Sequence, residues 1–302
     1  MSDSDLAVPS ETLIILAGVT GDLGGRIARF LLQRGARVRA IVRPGSAANN
    51  TIIALRRKGL LVAEVDFNDI PALTKACAGG SCVVSALSGL REVIVEAQTS
   101  LLTAAVAAGV PRFIPSDFAI DFTQLARGTN RNLDLRQEFK EKLDQAPIAA
   151  TSILNGMFTD LLTGEAPVVL FPVKRVIYWG NANQPLDFTT IENTAAFTAA
   201  AALDPTTPRY LRVAGDVLSA RGLQAAASKA TGQKFRRLRV GSLGMLNALI
   251  KITRTVSPAK EEVFPPWQGM QYLRDMLSGN AKLTPLDNNR YPEIKWTTVQ
   301  EV

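Results

Sequence analysis

Residues 13–28, LIILAGVTGDLGGRIA, constrain this chain more than any other stretch. Leu13, Ile14, Ile15 and Leu16 form a short apolar run with the character of a strand buried on both faces, and it stops at Gly18. Helical spacing then takes over, with Leu23, Ile27, Phe30 and Leu31 at i, i+4, i+7 and i+8 on one expected apolar face. Between them, Gly18, Gly21 and Gly24 repeat every third residue. A strand that turns sharply into a helix leaves the first helical amides unpaired, and glycine lets an anion reach them. Three glycines in a tight turn also serve geometry alone; the strand before and the helix after favour binding. The turn formed by Gly18, Thr20, Gly21, Asp22, Leu23 and Gly24 is therefore the candidate cradle for a dinucleotide pyrophosphate.

Charge decides which dinucleotide. A second strand over residues 38–42 ends in Arg43-Pro44-Gly45-Ser46, where a site for the unphosphorylated cofactor usually carries an acid for the ribose hydroxyls. From Leu23 to Ala63 there is no Asp or Glu, and nine Arg and Lys give that segment +9. The whole chain is +7, so the remainder sums to −2. The excess sits where a 2′-phosphate needs neutralising, which points to NADPH with Arg43 on the phosphate. Arg29, Arg34 and Lys58 fit a solvated helix face equally well. This local cause also accounts for a pI near 9.6 without nucleic acid or an anionic membrane as partner.

The chain has no histidine, which removes Ser-His-Asp hydrolysis, Cys-His proteolysis and His-ligated metals. No metal site is expected. Proton chemistry falls to Lys, Tyr, Asp, Glu, Ser or water. Cys77 and Cys82 match no redox or zinc spacing. Asp3, Asp5 and Glu11 leave no positive leader region, and no apolar run is long enough to span a bilayer. A reduced, cytoplasmic protein is the expectation.

Strands and helices alternate onward: a helix over 47–58, a strand at 61–65, a helix at 70–78, a strand at 82–86, a helix over 92–108 and a strand from 111. This order predicts an α/β fold built on a doubly wound parallel sheet. Asp66, followed by Phe67, ends the third strand where polar groups can meet an adenine, though turn formation suits Asp66 as well. Ala86, Leu87 and Ser88 open from the fourth strand at the sheet's carboxyl edge, where such folds bind ligands. A sixth strand is expected over 149–154, a capped helix from Thr189-Thr190-Ile191-Glu192, and helices over 243–256 and 268–277. Phe264, Trp267 and Tyr272 suit either an aromatic pocket or core packing.

Taken in order, AGVTGDLGGRIA, IVRPGS, SALSG and AGVPRFIPSDFAID resemble the isoflavone reductase and phenylcoumaran benzylic ether reductase group, with its NmrA-like relatives, among the atypical short-chain dehydrogenases. The likeness runs through essentially the whole chain and is most specific in its N-terminal half. It implies a Rossmann-type NADP(H) domain over 1–155 and a smaller substrate lobe over 156–302, with some segments returning to the sheet. In that group a P-S-E-F-G segment lines the nicotinamide, which carries over to Pro115, Ser116, Asp117 and Phe118. Asp117 replaces the glutamate, and Ala119 the glycine. The segment after the sixth strand begins the substrate region there, which makes Asn155, Met157 and Phe158 pocket candidates.

In the same group a lysine on the helix after this segment is the proposed proton-transfer residue, and ungapped matching puts Arg136 in its place. Arginine is not deprotonated near neutral pH, but it can hold a carbonyl or developing oxyanion. Lys140 lies one turn further on the same row as Asn132 and Arg136, beside the expected buried row of Leu135, Phe139 and Leu143. Either Lys140 reaches the site, or Arg136 and Lys140 are two solvated cations. Tyr291 and Lys295 match the Y-x-x-x-K spacing of the main short-chain dehydrogenase branch, but Pro292 opposes the helix that pair requires. The expected function is NADPH-dependent reduction of a small aromatic or conjugated substrate, with oligomerisation left open. The alternative is a non-catalytic NADP(H) sensor acting through a protein partner, and it is motivated by the lysine-to-arginine departure.

Overall fold

The computed structural model describes residues 12–164 and 166–302; Asp3, Asp5 and Glu11 lie outside them. Contacts gather the chain into two compact units. The first holds the described residues up to Ser116 together with Phe139–Ser152 and Ala195–Tyr210; the second holds Asp117–Glu138, Ile153–Thr194 and Leu211–Val302.

The first unit is a parallel sheet flanked by helices. In chain order its elements are β1 (Leu13–Ala17), α1 (Asp22–Gln33), β2 (Arg37–Val42), α2 (Asn50–Arg56), β3 (Leu61–Glu64), α3 (Ile70–Cys77), β4 (Cys82–Ser85), a π-helical turn (Glu92–Ala97), α4 (Gln98–Ala107) and β5 (Arg112–Ile114). The last part of α5 (Arg131–Gln145) and β6 (Ala149–Ala150) complete it. The strand order is β3-β2-β1-β4-β5-β6, and every pair is parallel. This is the Rossmann order, with its switch point between β1 and β4. β1 is buried at all five positions, as an all-apolar central strand must be.

Four elements depart from expectation for local reasons. The buried stripe of α1 is Gly24, Ile27, Ala28 and Leu31, while Leu23 and Phe30 are half-buried. The helix lies with its glycine against the turn, which rotates the buried face. The expected 47–58 helix is a 3-10 turn followed by α2, because the Asn49 side chain accepts a hydrogen bond from the Thr51 amide at 2.9 Å and starts the helix there. The expected 149–154 strand divides at Thr151. Its amide bonds Phe113 O at 3.0 Å, and the next amide, of Ser152, turns to Arg209 O at 2.8 Å. β7 (Ser152–Leu154) therefore pairs in a separate two-stranded sheet. Of the expected row on α5, Phe139 and Leu143 are buried but Leu135 is only half-buried.

The second unit carries β8 (Met157–Phe158), β9 (Val169–Leu170), β10 (Arg175–Trp179), β11 (Leu186–Thr189), the start of α6 (Ile191–Leu203), β12 (Tyr210–Arg212, the partner of β7), β13 (Asp216–Leu218), α7 (Ala220–Thr231), β14 (Arg236–Gly241), α8 (Leu243–Val256) and α9 (Pro266–Ser278). Two small sheets, β14-β10-β9 and β13-β11-β8, form its framework. The cap of α6 falls one residue later than expected. Thr190 Oγ1 accepts from the Asn193 amide at 3.0 Å, while Thr189 ends β11 and donates to Asn155 O at 2.7 Å. No helix carries Tyr291 and Lys295 together: both lie in the irregular segment after a 3-10 turn.

Arg112 ties distant parts of the first unit together. Its buried guanidinium donates to Ala202 O at 3.0 Å, Ala201 O at 2.8 Å and Thr207 Oγ1 at 2.7 Å, so a cation in β5 satisfies the last carbonyls of α6. Arg112→Met keeps the volume but removes these three buried hydrogen bonds, and should lower stability in urea unfolding by about 2–4 kcal/mol.

Candidate functional site

The glycine turn follows β1 at the sheet's switch point. Gly18 has φ +92°, and a Cβ there would stand 2.3 Å from Ala86 O. A Cβ on Gly24 would stand 2.1 Å from Gly18 O. The fold's own packing thus requires glycine at both positions. Gly21 differs: its nearest neighbour would be Gly18 O at 3.5 Å, an ordinary contact, so the protein's own packing does not demand glycine there. Gly21 is the N-cap of α1 and offers no side-chain cap, so the first-turn amides of a twelve-residue helix have no capping side chain. Those amides and that bare Cα suit a pyrophosphate. Asp22 puts a carboxylate beside them, but Arg26 holds it, with Nε 2.6 Å from Oδ1 and Nη2 3.3 Å from Oδ2. A recess of about 350 Å³ opens here, lined in part by Thr20, Gly21, Asp22, Arg26 and Thr51.

Arg43 is exposed just past the carboxyl end of β2, and its guanidinium has no protein partner among the described residues. The Gly45 amide beside it donates to Glu64 Oε2 at 2.7 Å, which fixes the loop. Asp66 is exposed and accepts from the Asn68 amide at 2.9 Å, so it forms the turn that was the other reading of it. Phe67 beside it is half-buried.

After β4, Ala86 and Leu87 are half-buried and Ser88 is exposed. Pro115 and Ser116, after β5, are buried. One side chain that the motifs did not single out joins these loops. Gln98, fully buried, donates through Nε2 to Ile94 O at 2.8 Å and accepts through Oε1 from the Ser116 amide at 2.8 Å. Ser116 Oγ in turn donates to Leu87 O at 2.6 Å. The π-helical turn lies immediately before Gln98. The only trace of this clamp in the sequence is a glutamine on the apolar face of a helix.

In the second unit, Asp117 and Phe118 are buried. The next carbonyl, of Ala119, accepts from both the Asn155 amide at 2.9 Å and the Gly156 amide at 3.1 Å, so two separately identified segments meet. Asn155 is fully buried, and neither Oδ1 nor Nδ2 has a hydrogen-bond partner among the described residues. Met157 and Phe158, both half-buried, pair with Phe188 and Thr189 across β8 and β11.

The row on α5 resolves into three different environments. Asn132 is buried; its Nδ2 donates to Val263 O at 2.8 Å, and its Oδ1 accepts from Arg131 Nε at 3.0 Å. Arg136 is half-buried and donates from Nη1 to Asn132 O at 3.0 Å. Its Nε is buried without a protein partner, and it makes no ion pair among the described residues. Lys140 is bound to Asp144 at 2.6 Å, and this bond raises the ammonium's pKa and makes it a poorer proton donor. Asp144 also takes Arg209 at 2.8 Å and lines a recess of about 450 Å³ with Ala146, Ile148 and Tyr210. Residues 146–148 precede β6, so this recess lies at the sheet's amino edge, opposite the edge bearing the glycine turn.

Tyr272 hydrogen-bonds to Asn132; burial pushes its phenol up, and the charge of Arg136 opposes that shift. Trp267 is core, with Nε1 donating to Pro258 O at 3.0 Å and Arg131 stacked 4.6 Å from its ring, whereas Phe264 is exposed. Burial pushes the Cys77 thiol up to about 11 and the Cys82 thiol up to about 12, so neither is a nucleophile. Among the described residues no His, Cys, Asp and Glu group could hold a metal, and no helix is long and apolar enough to cross a membrane.

This strand order and glycine turn define a Rossmann-type dinucleotide protein, and residues 10–264 match the NmrA-like family, to which the chain belongs. It is 25% identical to pinoresinol reductase 1 of Arabidopsis thaliana, over 78% of this chain and 80% of that one. It is 23% identical to phenylcoumaran benzylic ether reductase PT1 of Pinus taeda, over 97% of each. Among solved structures, AtPrR2 with NADP+ and (+)pinoresinol superposes with a TM-score of 0.78 at 22% identity, over 96% of this chain and 97% of that one.

The Gln98 clamp yields a direct expectation. Gln98→Leu leaves the Ser116 amide without its side-chain acceptor and removes the bond to Ile94 O, and should cost about 1–3 kcal/mol in urea unfolding.

Proposed function

We propose that this chain is an NADPH-dependent reductase of a small aromatic or conjugated substrate. The observation that carries the cofactor is the pairing of an uncapped α1 N-terminus at the switch point with an Arg43 guanidinium that no group among the described residues engages. The turn from Gly18 to Gly24 would hold the pyrophosphate, Arg43 the 2′-phosphate, and Pro115 and Ser116 the nicotinamide side, with Asp117 and Phe118 following them in the chain. When bound, NADPH supplies the hydride.

Arg136 supports the chemistry. A half-buried guanidinium with a buried, unsatisfied Nε is costly unless something accepts from it. In this reading it holds the acceptor's carbonyl or the oxyanion that develops there. Lys140 is committed to Asp144, which leaves water as the simpler proton source. Asn155, with one donor and one acceptor unused, orients the substrate's polar edge beside Met157 and Phe158. The relatives named for pinoresinol and phenylcoumaran ethers support an aromatic substrate.

Parallel titrations with NADPH, NADP+ and NADH test the cofactor. NADPH should bind at least as well as NADP+ and far better than NADH, and Arg43→Asp should weaken NADPH roughly tenfold to a hundredfold while sparing NADH. A clear preference for NADP+ with no turnover of conjugated aromatics would favour the sensor instead. For the chemistry, Arg136→Met should lower kcat by roughly 10²–10³ with NADPH affinity intact. Undiminished turnover removes Arg136 from the mechanism.

A further inference from the structure

The segment around Arg43 is not the chain's only acid-free stretch. Between Val217 and Lys260 there are nine Lys and Arg and no Asp or Glu, and none of the nine makes an ion pair among the described residues. A solvated face normally interleaves the two signs, so a one-sided run of this length calls for an anionic partner.

The structure shows where part of this charge is displayed. Arg175 on β10 and Arg236 on β14 are directly paired across two parallel strands, and Leu170 of β9 lies opposite Arg175. Like charges placed opposite one another repel, and neither makes an ion pair among the described residues. The alternate positions, Val169, Val176 and Arg237, face the other way: Val169 and Val176 are buried, and Arg237 reaches Gln224 of α7 at 3.1 Å. The outer face therefore carries Arg175 and Arg236 together with Leu170, Ile177 and Leu238, bordered by Phe171 and Val173 at the β9–β10 turn.

After Ser242, α8 continues the pattern. Met245, Leu249, Ile252 and Val256 fall at i, i+4, i+7 and i+11 on one stripe, and they are 60%, 39%, 60% and 79% exposed, whereas Leu246 and Ile250 anchor the helix. An exposed aliphatic row next in sequence to unneutralised arginines is the composition of an interfacial surface.

We propose that two surfaces of this unit, the outer side of the β9–β10–β14 sheet and the exposed row of α8, together dock the chain on an anionic lipid surface. Two identical faces would bring two acid-free, positive segments together, which disfavours a second copy. Nucleic acid recruits aromatic and polar side chains to stack and read bases, whereas the projecting apolar groups here are aliphatic apart from Phe171 at the margin. Side chains this exposed stand out from the surface and suit a soft apolar layer beneath anionic headgroups. Docking of this kind needs no spanning helix and is independent of the reductase reading.

Vesicle co-sedimentation of the full chain tests it, with phosphatidylcholine alone and with added phosphatidylserine. The chain should pellet with the anionic vesicles only, and high salt should release it. Arg236→Ser should weaken binding about fivefold and Ile252→Ser about tenfold, both with NADPH affinity unchanged. Absence of binding to anionic vesicles, or wild-type binding by both variants, overturns the proposal. So does lipid-free self-association that Ile252→Ser abolishes, or binding to a DNA or RNA oligonucleotide that Arg236→Ser abolishes, since either gives the face another occupant.

Discussion

The close approach of three backbone segments at the end of β1 is the constraint on which the first unit depends. Gly18 lies against the carbonyl of Ala86, and Gly24 lies against the carbonyl of Gly18, at separations that leave no room for a Cβ. This lets α1 start immediately beneath the switch point, with its uncapped amides at the carboxyl edge of the sheet. The same contact explains why the helix buries Gly24 and Ala28 where residue spacing alone favours Leu23 and Phe30. The uncapped helix start and the packing of helix on strand are two consequences of one steric fact.

Charge is handled case by case. Asp22 would repel a pyrophosphate, and Arg26 neutralises it. Asp144 draws in both Lys140 and Arg209. Among the described residues Arg136 has only a backbone carbonyl, and Arg43 has no partner. The informative arginines are therefore those the protein leaves unsatisfied, because a guanidinium held at a fixed place without an acceptor is poised for one from outside.

Buried polar ties hold together a first unit assembled from separated stretches of chain. Gln98 and Ser116 link the loops after β4 and β5, and Arg112 holds the end of α6, some ninety residues away in sequence. Each tie pairs buried polar groups on separate stretches, so each fixes position as well as adding stability.

Much of the first unit was legible in the chain itself. Apolar runs of strand length, helices between them and glycines at three-residue spacing specify a parallel sheet with a dinucleotide turn, because buried strands and tight turns admit few residue types. The acid-free segment from Leu23 to Ala63 likewise placed positive charge near the expected 2′-phosphate position. What the sequence could not supply was anything that depends on which distant group a side chain meets. Spacing put Asn132, Arg136 and Lys140 on one row, yet tertiary contacts bury the first, leave the second without an acid and bind the third to Asp144. The clamp by Gln98, the division of the sixth strand at Thr151 and the facing of Arg175 by Arg236 were invisible for the same reason. Local spacing fixes which way a side chain leaves its own element, and only the folded chain decides what stands opposite it.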